Sequence, residues 1–328
     1  MKIAIWGGGA VGLGLANALA RPKSRLQMLV RDDRTAIAIR SQGIRRTGIF
    51  GETRTPAHEL DILRDGRSLT KDPPDWLLIC TKAFSTSEVA RELSTFAQDL
   101  TSSTRLILCQ NGLGNEAPFL AFWPTDRLFH ARIITGFHRR DSTHVEITAH
   151  ASAIALGSLF EDGKNAKGAR ASLDLLRDLA DRISKGGIPA QATGNMRAVL
   201  WAKMLYNCSL NPLGALAGRR YGELASEPAT KALIGAVVRE IFAVLSAAGI
   251  DLAWPDAEAY LETFYLELIP PTALHESSML QDLRAGNQTE IEALCGAVER
   301  LGRDCGVETP VISALATLVR AAERRNAA

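Results

Sequence analysis

Met1-Lys2-Ile3-Ala4-Ile5-Trp6-Gly7-Gly8-Gly9-Ala10-Val11-Gly12 passes from a short apolar strand through a glycine-rich turn into the start of a helix. That order is what a dinucleotide site needs. Ile3 and Ile5 read as a buried strand, and Ala10 to Ala20 reads as a helix of small residues able to pack closely on a sheet. Gly7, Gly9 and Gly12 fit G-x-G-x-x-G. In that pattern the first glycine allows the tight turn, the second lets backbone approach a pyrophosphate, and the third lets helix and strand touch. The N–H groups of the first helical turn, Ala10 and Val11 among them, then face the phosphates. The same stretch loosely imitates a secretory leader, with Lys2 ahead of an apolar run and Ala16-Asn17-Ala18 as the cleavage site. The glycines interrupt the apolar helix that such a leader requires, and the dinucleotide reading is preferred.

The 328 residues are enough for two domains, each with its own core. A hydrophobic content of 46% and a charged content of 23% are those of an ordinary globular chain. The net charge of +2, with the basic residues scattered, implies no nucleic-acid partner. No apolar run reaches the length of a membrane span, so no membrane association is expected. Five cysteines without paired spacing read as reduced thiols, three of them in apolar runs, and suit a cytoplasmic protein. Six histidines form no ligand cluster, so no metal site is expected.

In the first half, short apolar runs alternate with helical stretches, which predicts a mostly parallel sheet with helices on its faces. The strand candidates are Lys2 to Trp6, Leu26 to Val30, Trp76 to Cys80, Arg105 to Cys109, Leu128 to Ile134, and a pair at His144 to His150 and Ser152 to Leu156. Four of these end in groups suited to ligands: the glycine turn, Arg31, Lys82, and Gln110-Asn111-Gly112-Leu113-Gly114. Ligands gather at such carboxyl ends in open parallel sheets. From about Gly194 the pattern turns helical. Ser226 and Pro228 open a long apolar helix that Gly249 closes, Pro270-Pro271 interrupts the next, and Gly306 with Pro310 separates the last two. The expected architecture is α/β: a Rossmann-like dinucleotide-binding domain over residues 1–192, followed by an all-helical substrate domain over residues 193–328.

An acid at the end of the second strand marks an NAD site, because its carboxylate accepts from the ribose hydroxyls. Here that position holds Arg31, which suits a ribose 2′-phosphate, with Lys82 as a second cation. The expected cofactor is NADP(H). Asp32 and Asp33 follow directly and leave a turn toward the ribose open.

Lys203, Asn207 and Asn211 recur every four residues and share one helical face, with Pro212 able to distort its end. Buried polar groups need partners, which a bound substrate would supply. From spacing alone, the polar stripe of an ordinary amphipathic helix fits equally well. Ser278 and Asp282 share another face, and after the break at Gly286-Asn287 a new helix starting near Thr289 would aim Glu290 at the same place. By themselves Ser278 suits a surface hydroxyl and Glu290 a first-turn acid.

Together these segments resemble the ketopantoate reductase (2-dehydropantoate 2-reductase) family over nearly the whole chain. The matching runs are Gly7 to Gly12, Val30-Arg31, Thr81-Lys82-Ala83-Phe84, Gln110 to Glu116, Asn195 to Leu213 and Ser277 to Leu294. The first is shared by many dehydrogenases, whereas the last two are specific. The resemblance implies NADPH-dependent reduction of the 2-keto group of ketopantoate, on the route to pantothenate and coenzyme A. It implies that Lys203 polarises and protonates the keto oxygen and that Glu290 positions substrate and lysine. Asn207, Asn211 and Ser278 would be substrate ligands, and Asn111 would meet both nicotinamide and substrate. A lysine with a pKa of about 10.4 is charged at neutral pH and serves as electrophile and acid. Two departures widen the substrate range to other 2-keto acids: Phe137-His138-Arg139-Arg140 at the expected pocket mouth, and His275 three residues before Ser278. A beta-hydroxyacid dehydrogenase has a similar layout, and an NADPH-binding regulator would keep the fold without turnover. Ser278 to Glu290 speaks against the first, and Lys203 with Glu290 against the second. The expected partner is a small 2-keto acid, and the chain is expected to be a monomer or a homodimer.

Overall fold

The computed structural model describes residues 1–21, 25–160 and 166–327. The chain divides into two compact units, Met1–Gln110 with Asn115–Met196, and Asn111–Gly114 with Arg197–Ala328. In chain order, the first unit begins with β1 (Ile3–Trp6), α1 (Ala10–Leu19), β2 (Leu26–Leu29), α2 (Asp33–Gln42), β3 (Ile44–Gly48), β4 (Thr53–Thr55), β5 (Leu60–Leu63) and β6 (Trp76–Ile79). It continues with α3 (Thr86–Ser94), β7 (Arg105–Leu108), β8 (Leu128–Arg132), β9 (Thr135–Arg139), β10 (His144–His150), β11 (Ile154–Gly157), α4 (Ala166–Lys185) and β12 (Ala190–Ala192). Eight strands form the main sheet in the order β12-β11-β8-β7-β6-β1-β2-β5. Every pairing in it is parallel except β11 with β8, as the alternating pattern predicts.

A parallel sheet covered on both faces buries consecutive residues, and β1 is buried throughout. Ile3 and Ile5 join Leu13, Leu15 and Leu19 of α1 in one core cluster. Ala4 and Trp6 join Val89 and Leu93 of α3 in another. Chain order reverses at β1, with β2 on one side and β6 on the other, so a ligand crevice is expected beyond the carboxyl ends of β1 and β6. In-register pairing of Trp6 with Ile79 and of Ile79 with Leu108 brings Gly7, Cys80 and Cys109 abreast there.

The supposed strand pair at 144–156 is corrected. β10 belongs to a second sheet, β4-β3-β10-β9, whereas β11 belongs to the main one. The reason is burial: Val145 and Ile147 of β10 and Phe137 of β9 pack into the α1 core. Phe137 fills the space that a side chain at Gly14 would need, its ring lying 2.3 Å from where a Cβ would stand. Arg139 donates to the Thr35 hydroxyl at 2.6 Å, Arg140 donates to Glu146, and His138 stands opposite Glu146 in the ladder. The segment thus builds the small sheet of the first unit.

Arg46 of β3 is only 1% exposed, and its Nε and Nη1 have no hydrogen-bond partner among the described residues. Burial pushes its guanidinium below the usual arginine range. Arg46→Met keeps an unbranched apolar stem and removes the uncompensated desolvation, so it is expected to raise unfolding free energy by about 1 to 3 kcal/mol. Urea titration reads this directly; a lowered midpoint would show that the charge is satisfied in the native state.

The second unit contains α5 (Met196–Ala217), α6 (Tyr221–Ser226), α7 (Pro228–Ala247), α8 (Ala257–Thr263), α9 (Ser278–Arg284), α10 (Cys295–Asp304) and α11 (Pro310–Ala327). Pro228 occupies the first turn of α7, where its missing N–H costs nothing, and Glu227 caps that helix by accepting from Thr230 N at 2.8 Å. Gly249 follows α7 at φ +64°, a conformation suited to glycine. A π-helical turn over Phe264–Leu268 precedes Pro270-Pro271. Leu205, Cys208, Ile234, Val238, Tyr260 and Val298 lie in the core. No helix among the described residues is long and apolar enough to cross a membrane.

Candidate active site

The glycine turn has the shape that each glycine is needed for. Gly7 stands at φ +128°, and a Cβ on it would lie 2.9 Å from the Cys80 carbonyl carbon. At Gly12 a Cβ would stand 2.0 Å from the Gly7 carbonyl oxygen, so the absence of a side chain lets α1 close on β1. A Cβ on Gly9 would meet nothing within 4 Å, which leaves open space above the backbone. Gly9 is the N-cap of α1, no side chain caps it, and the first intrahelical bond runs from Leu13 N to Gly9 O at 2.9 Å. The N–H groups of Ala10, Val11 and Gly12 therefore have no acceptor within the helix, and the positive end of the helix dipole faces the same space. Open room, unspent donors and favourable potential suit a pyrophosphate.

Arg31 and Lys82 are exposed beyond the ends of β2 and β6. Arg31 is engaged by two acids of α3, Glu88 and Glu92, and its guanidinium carbon lies 6.0 Å from the centroid of the Trp6 ring. The two aspartates that follow have other work. Asp32 caps α2 by accepting from Thr35 N at 2.7 Å, hydrogen bonding from the Thr35 hydroxyl and then its N–H lowers the Asp32 pKa, and Asp33 pairs with Arg64 at 2.5 Å.

In the second unit three distant residues meet. The Lys203 Nζ donates to Asn111 Oδ1 at 2.5 Å, and Asn111 Nδ2 donates to Glu290 Oε2 at 2.8 Å. Each arrives for a local reason. Lys203 projects from the half-buried face of α5. Asn111 follows β7 and opens the segment whose Leu113 N donates to Ala293 O at 2.8 Å. Close approach there needs Gly112, at φ +86°, because a Cβ would stand 2.2 Å from the same Ala293 oxygen. Glu290 is 7% exposed. Its setting corrects the expected helix start near Thr289: α10 begins at Cys295, and Glu290 lies in the turn before it, where the N–H groups of Ala293 and Leu294 donate to its carbonyl at 3.1 Å. The Thr289 hydroxyl accepts from Ile291 N at 3.2 Å, a local alternative to helical bonding.

Further along α5, Asn207 is half-buried and Asn211 is buried, and the helix continues through Pro212 to Ala217. The Tyr221 hydroxyl donates to Asn211 Oδ1 at 2.7 Å, which directs the Asn211 amide nitrogen elsewhere as a donor. Tyr206 donates to or accepts from Thr272 at 2.6 Å, and its ring packs edge-on against Tyr221 at 5.7 Å. Burial pushes Tyr206 up to about 12 and Tyr221 higher still, so both remain protonated. His275 packs edge-on against Tyr221, with ring centroids 5.2 Å apart. Ser278 is the exposed first residue of α9, while its neighbour Ser277 is fully buried. Ser277 caps α9 by accepting from Leu280 N at 3.0 Å and lies 3.4 Å from the Asn211 carbonyl. Tyr221 and Ser277 were not singled out from the sequence. A serine ahead of an apolar helical run is a capping signal that points to Ser277; Tyr221 is ten residues from its partner and carries no motif.

Residues 3–160 match the family described as Ketopantoate reductase PanE/ApbA, and residues 195–323 match Ketopantoate reductase PanE/ApbA C terminal. A 2-dehydropantoate 2-reductase of Aquifex aeolicus (strain VF5) is 33% identical over 326 residues, 99% of this chain and 98% of that protein. The crystal structure of a PanE/ApbA family ketopantoate reductase from Ralstonia eutropha JMP134 superposes with a TM-score of 0.81 at 25% identity, covering 100% of both chains. The ternary structure of D-mandelate dehydrogenase with NADH and anilino(oxo)acetate shares the fold, with a TM-score of 0.83 at 24% identity over 99% of each chain.

Proposed function

This chain belongs to the ketopantoate reductase family of nicotinamide-dependent oxidoreductases, and from that premise we propose that it reduces ketopantoate to pantoate with NADPH. The observation that carries the reading is the chain of contacts from Lys203 through Asn111 to Glu290. An ammonium has three N–H bonds. One is donated to Asn111, and the keto oxygen is assigned to the same ammonium. Asn111 is held in turn by Glu290, so its carbonyl end stays turned to the lysine. When bound, the nicotinamide supplies hydride to the keto carbon. Lys203 draws electron density onto the keto oxygen and then delivers the proton that completes the alcohol. Asn207, Asn211 and Ser278 are assigned to the substrate hydroxyl and carboxylate, with Tyr221 fixing the orientation of Asn211.

For the cofactor, Gly7, Gly9, Ala10, Val11 and Gly12 are assigned to the pyrophosphate, and Arg31 with Lys82 to the ribose 2′-phosphate. Asn111 is assigned to the nicotinamide as well. The reading places the reaction in the cytoplasm, on the route to pantothenate and coenzyme A, in a monomer or homodimer.

Purified protein assayed with NADPH against a panel of 2-keto acids tests this. Ketopantoate is expected to give the highest kcat/KM. A better substrate elsewhere in the panel would reassign the specificity, and no nucleotide oxidation with any of them would leave a non-catalytic binder.

A further inference from the structure

We propose that Glu88 and Glu92 are specificity-determining residues, which blunt the preference for NADPH by neutralising Arg31 and allow NADH to be used alongside it. The inference rests on the assignment of Arg31 to the 2′-phosphate. Glu88 and Glu92 lie four residues apart on α3 and therefore share one face. Glu88 takes one guanidinium nitrogen of Arg31 and Glu92 takes the other. Glu92 is not a loose surface acid. Its Oε1 accepts from Gly66 N at 2.9 Å, and a Cβ at Gly66 would stand 2.8 Å from that oxygen and 2.4 Å from the Trp6 ring. Strand end, helix face and the Gly66 turn therefore hold the carboxylate against the guanidinium.

Within the clamp itself, the one positive charge of Arg31 and the two negative charges of Glu88 and Glu92 sum to −1. A 2′-phosphate carries a charge of about −1.5 to −2 near neutral pH. To bind, it must take guanidinium nitrogens from the glutamates and then sit close to two carboxylates. Arg64 offers no relief, because it is committed to Asp33 and to the Val30 carbonyl at 2.8 Å. A ribose that carries a 2′-hydroxyl meets a different situation. It donates to a carboxylate, the interaction that an acid at the second strand end provides in NAD sites. Glu88 is placed for that role, with a side chain 54% exposed. The clamp thus keeps the determinant for a phosphate and the determinant for a hydroxyl at the same place, and each weakens the other's selectivity.

Dissociation constants of NADPH and NADH, measured by nucleotide fluorescence without substrate, test this in E88Q, in E92Q and in the double variant. Glutamine keeps the acceptor for Gly66 N and removes the charge. The double variant is expected to tighten NADPH about tenfold and to weaken NADH, so that the ratio of the two constants moves by tenfold or more. E88Q, which leaves the Gly66 contact alone, is expected to move it in the same direction by a smaller factor. An unchanged ratio, or equal changes for both nucleotides, would overturn the role of the glutamates. R31A separates the two readings: if it abolishes the NADPH preference while the glutamine variants do nothing, only the clamp is wrong. If R31A leaves the ratio unchanged, the assignment of Arg31 falls, and the clamp with it.

Discussion

Lys203→Ala is expected to lower kcat for ketopantoate by a hundredfold or more, with the dissociation constant for NADPH within about twofold of the parent. A positioned acid contributes about 10² to 10⁴ in rate, so the loss of transition-state stabilisation is at least ~3 kcal/mol. The oxygen of the keto group gains its negative charge only as hydride arrives. An ammonium at that oxygen is therefore worth more in the transition state than in the ground state, and kcat should fall further than KM rises. The truncation also takes the donor from Asn111 Oδ1, while Asn111 Nδ2 keeps its acceptor on Glu290. Steady-state kinetics read the first effect, and nucleotide fluorescence without substrate reads the second. A kcat within tenfold of the parent would remove the lysine from proton delivery.

The second large effect is expected at Gly12→Ala, in the opposite pattern. A single added methyl would stand 2.0 Å from the Gly7 carbonyl oxygen and 3.1 Å from its carbon. Those are backbone atoms and have no rotamer to escape into. Either α1 lifts from β1 or the turn opens, and overpacking of this kind costs about 1 to 3 kcal/mol. A fall in thermal midpoint together with a hundredfold or greater loss of NADPH affinity is expected, because the displaced turn is the one we assign to the pyrophosphate. Gly9→Ala is the control. Its methyl would meet no protein atom within 4 Å, so the fold should tolerate it while the nucleotide does not. Normal affinity in the Gly9 variant would move the pyrophosphate away from this turn.

The glycines were legible because each answers a separate geometric demand, and such demands leave little choice of residue. The strands of the main sheet were legible for a related reason: Ile3-Ala4-Ile5-Trp6 and Trp76-Leu77-Leu78-Ile79 are apolar without interruption, as burial on both faces requires. β3 was not. Nothing in its Ile44-Arg45-Arg46-Thr47-Gly48 announces that Arg46 will be buried. β9 was hidden in the same way by His138 and Arg139. In the site, Lys203, Asn207 and Asn211 could be placed on one face from their spacing. What spacing could not supply was the partner of each. The link from Asn111 to Lys203 spans 92 positions and that to Glu290 spans 179, so only the folded chain brings them together. Nothing in the run of α3 marks Glu88 and Glu92 for Arg31, because that arginine lies on another element.

Asn111 stands between an ammonium and a carboxylate, and an amide at neutral pH neither takes up nor gives up a proton. It accepts at one end and donates at the other, so it transmits orientation from Glu290 to Lys203 while blocking charge transfer along the same line. Along that line the amide holds the lysine without offering it a base.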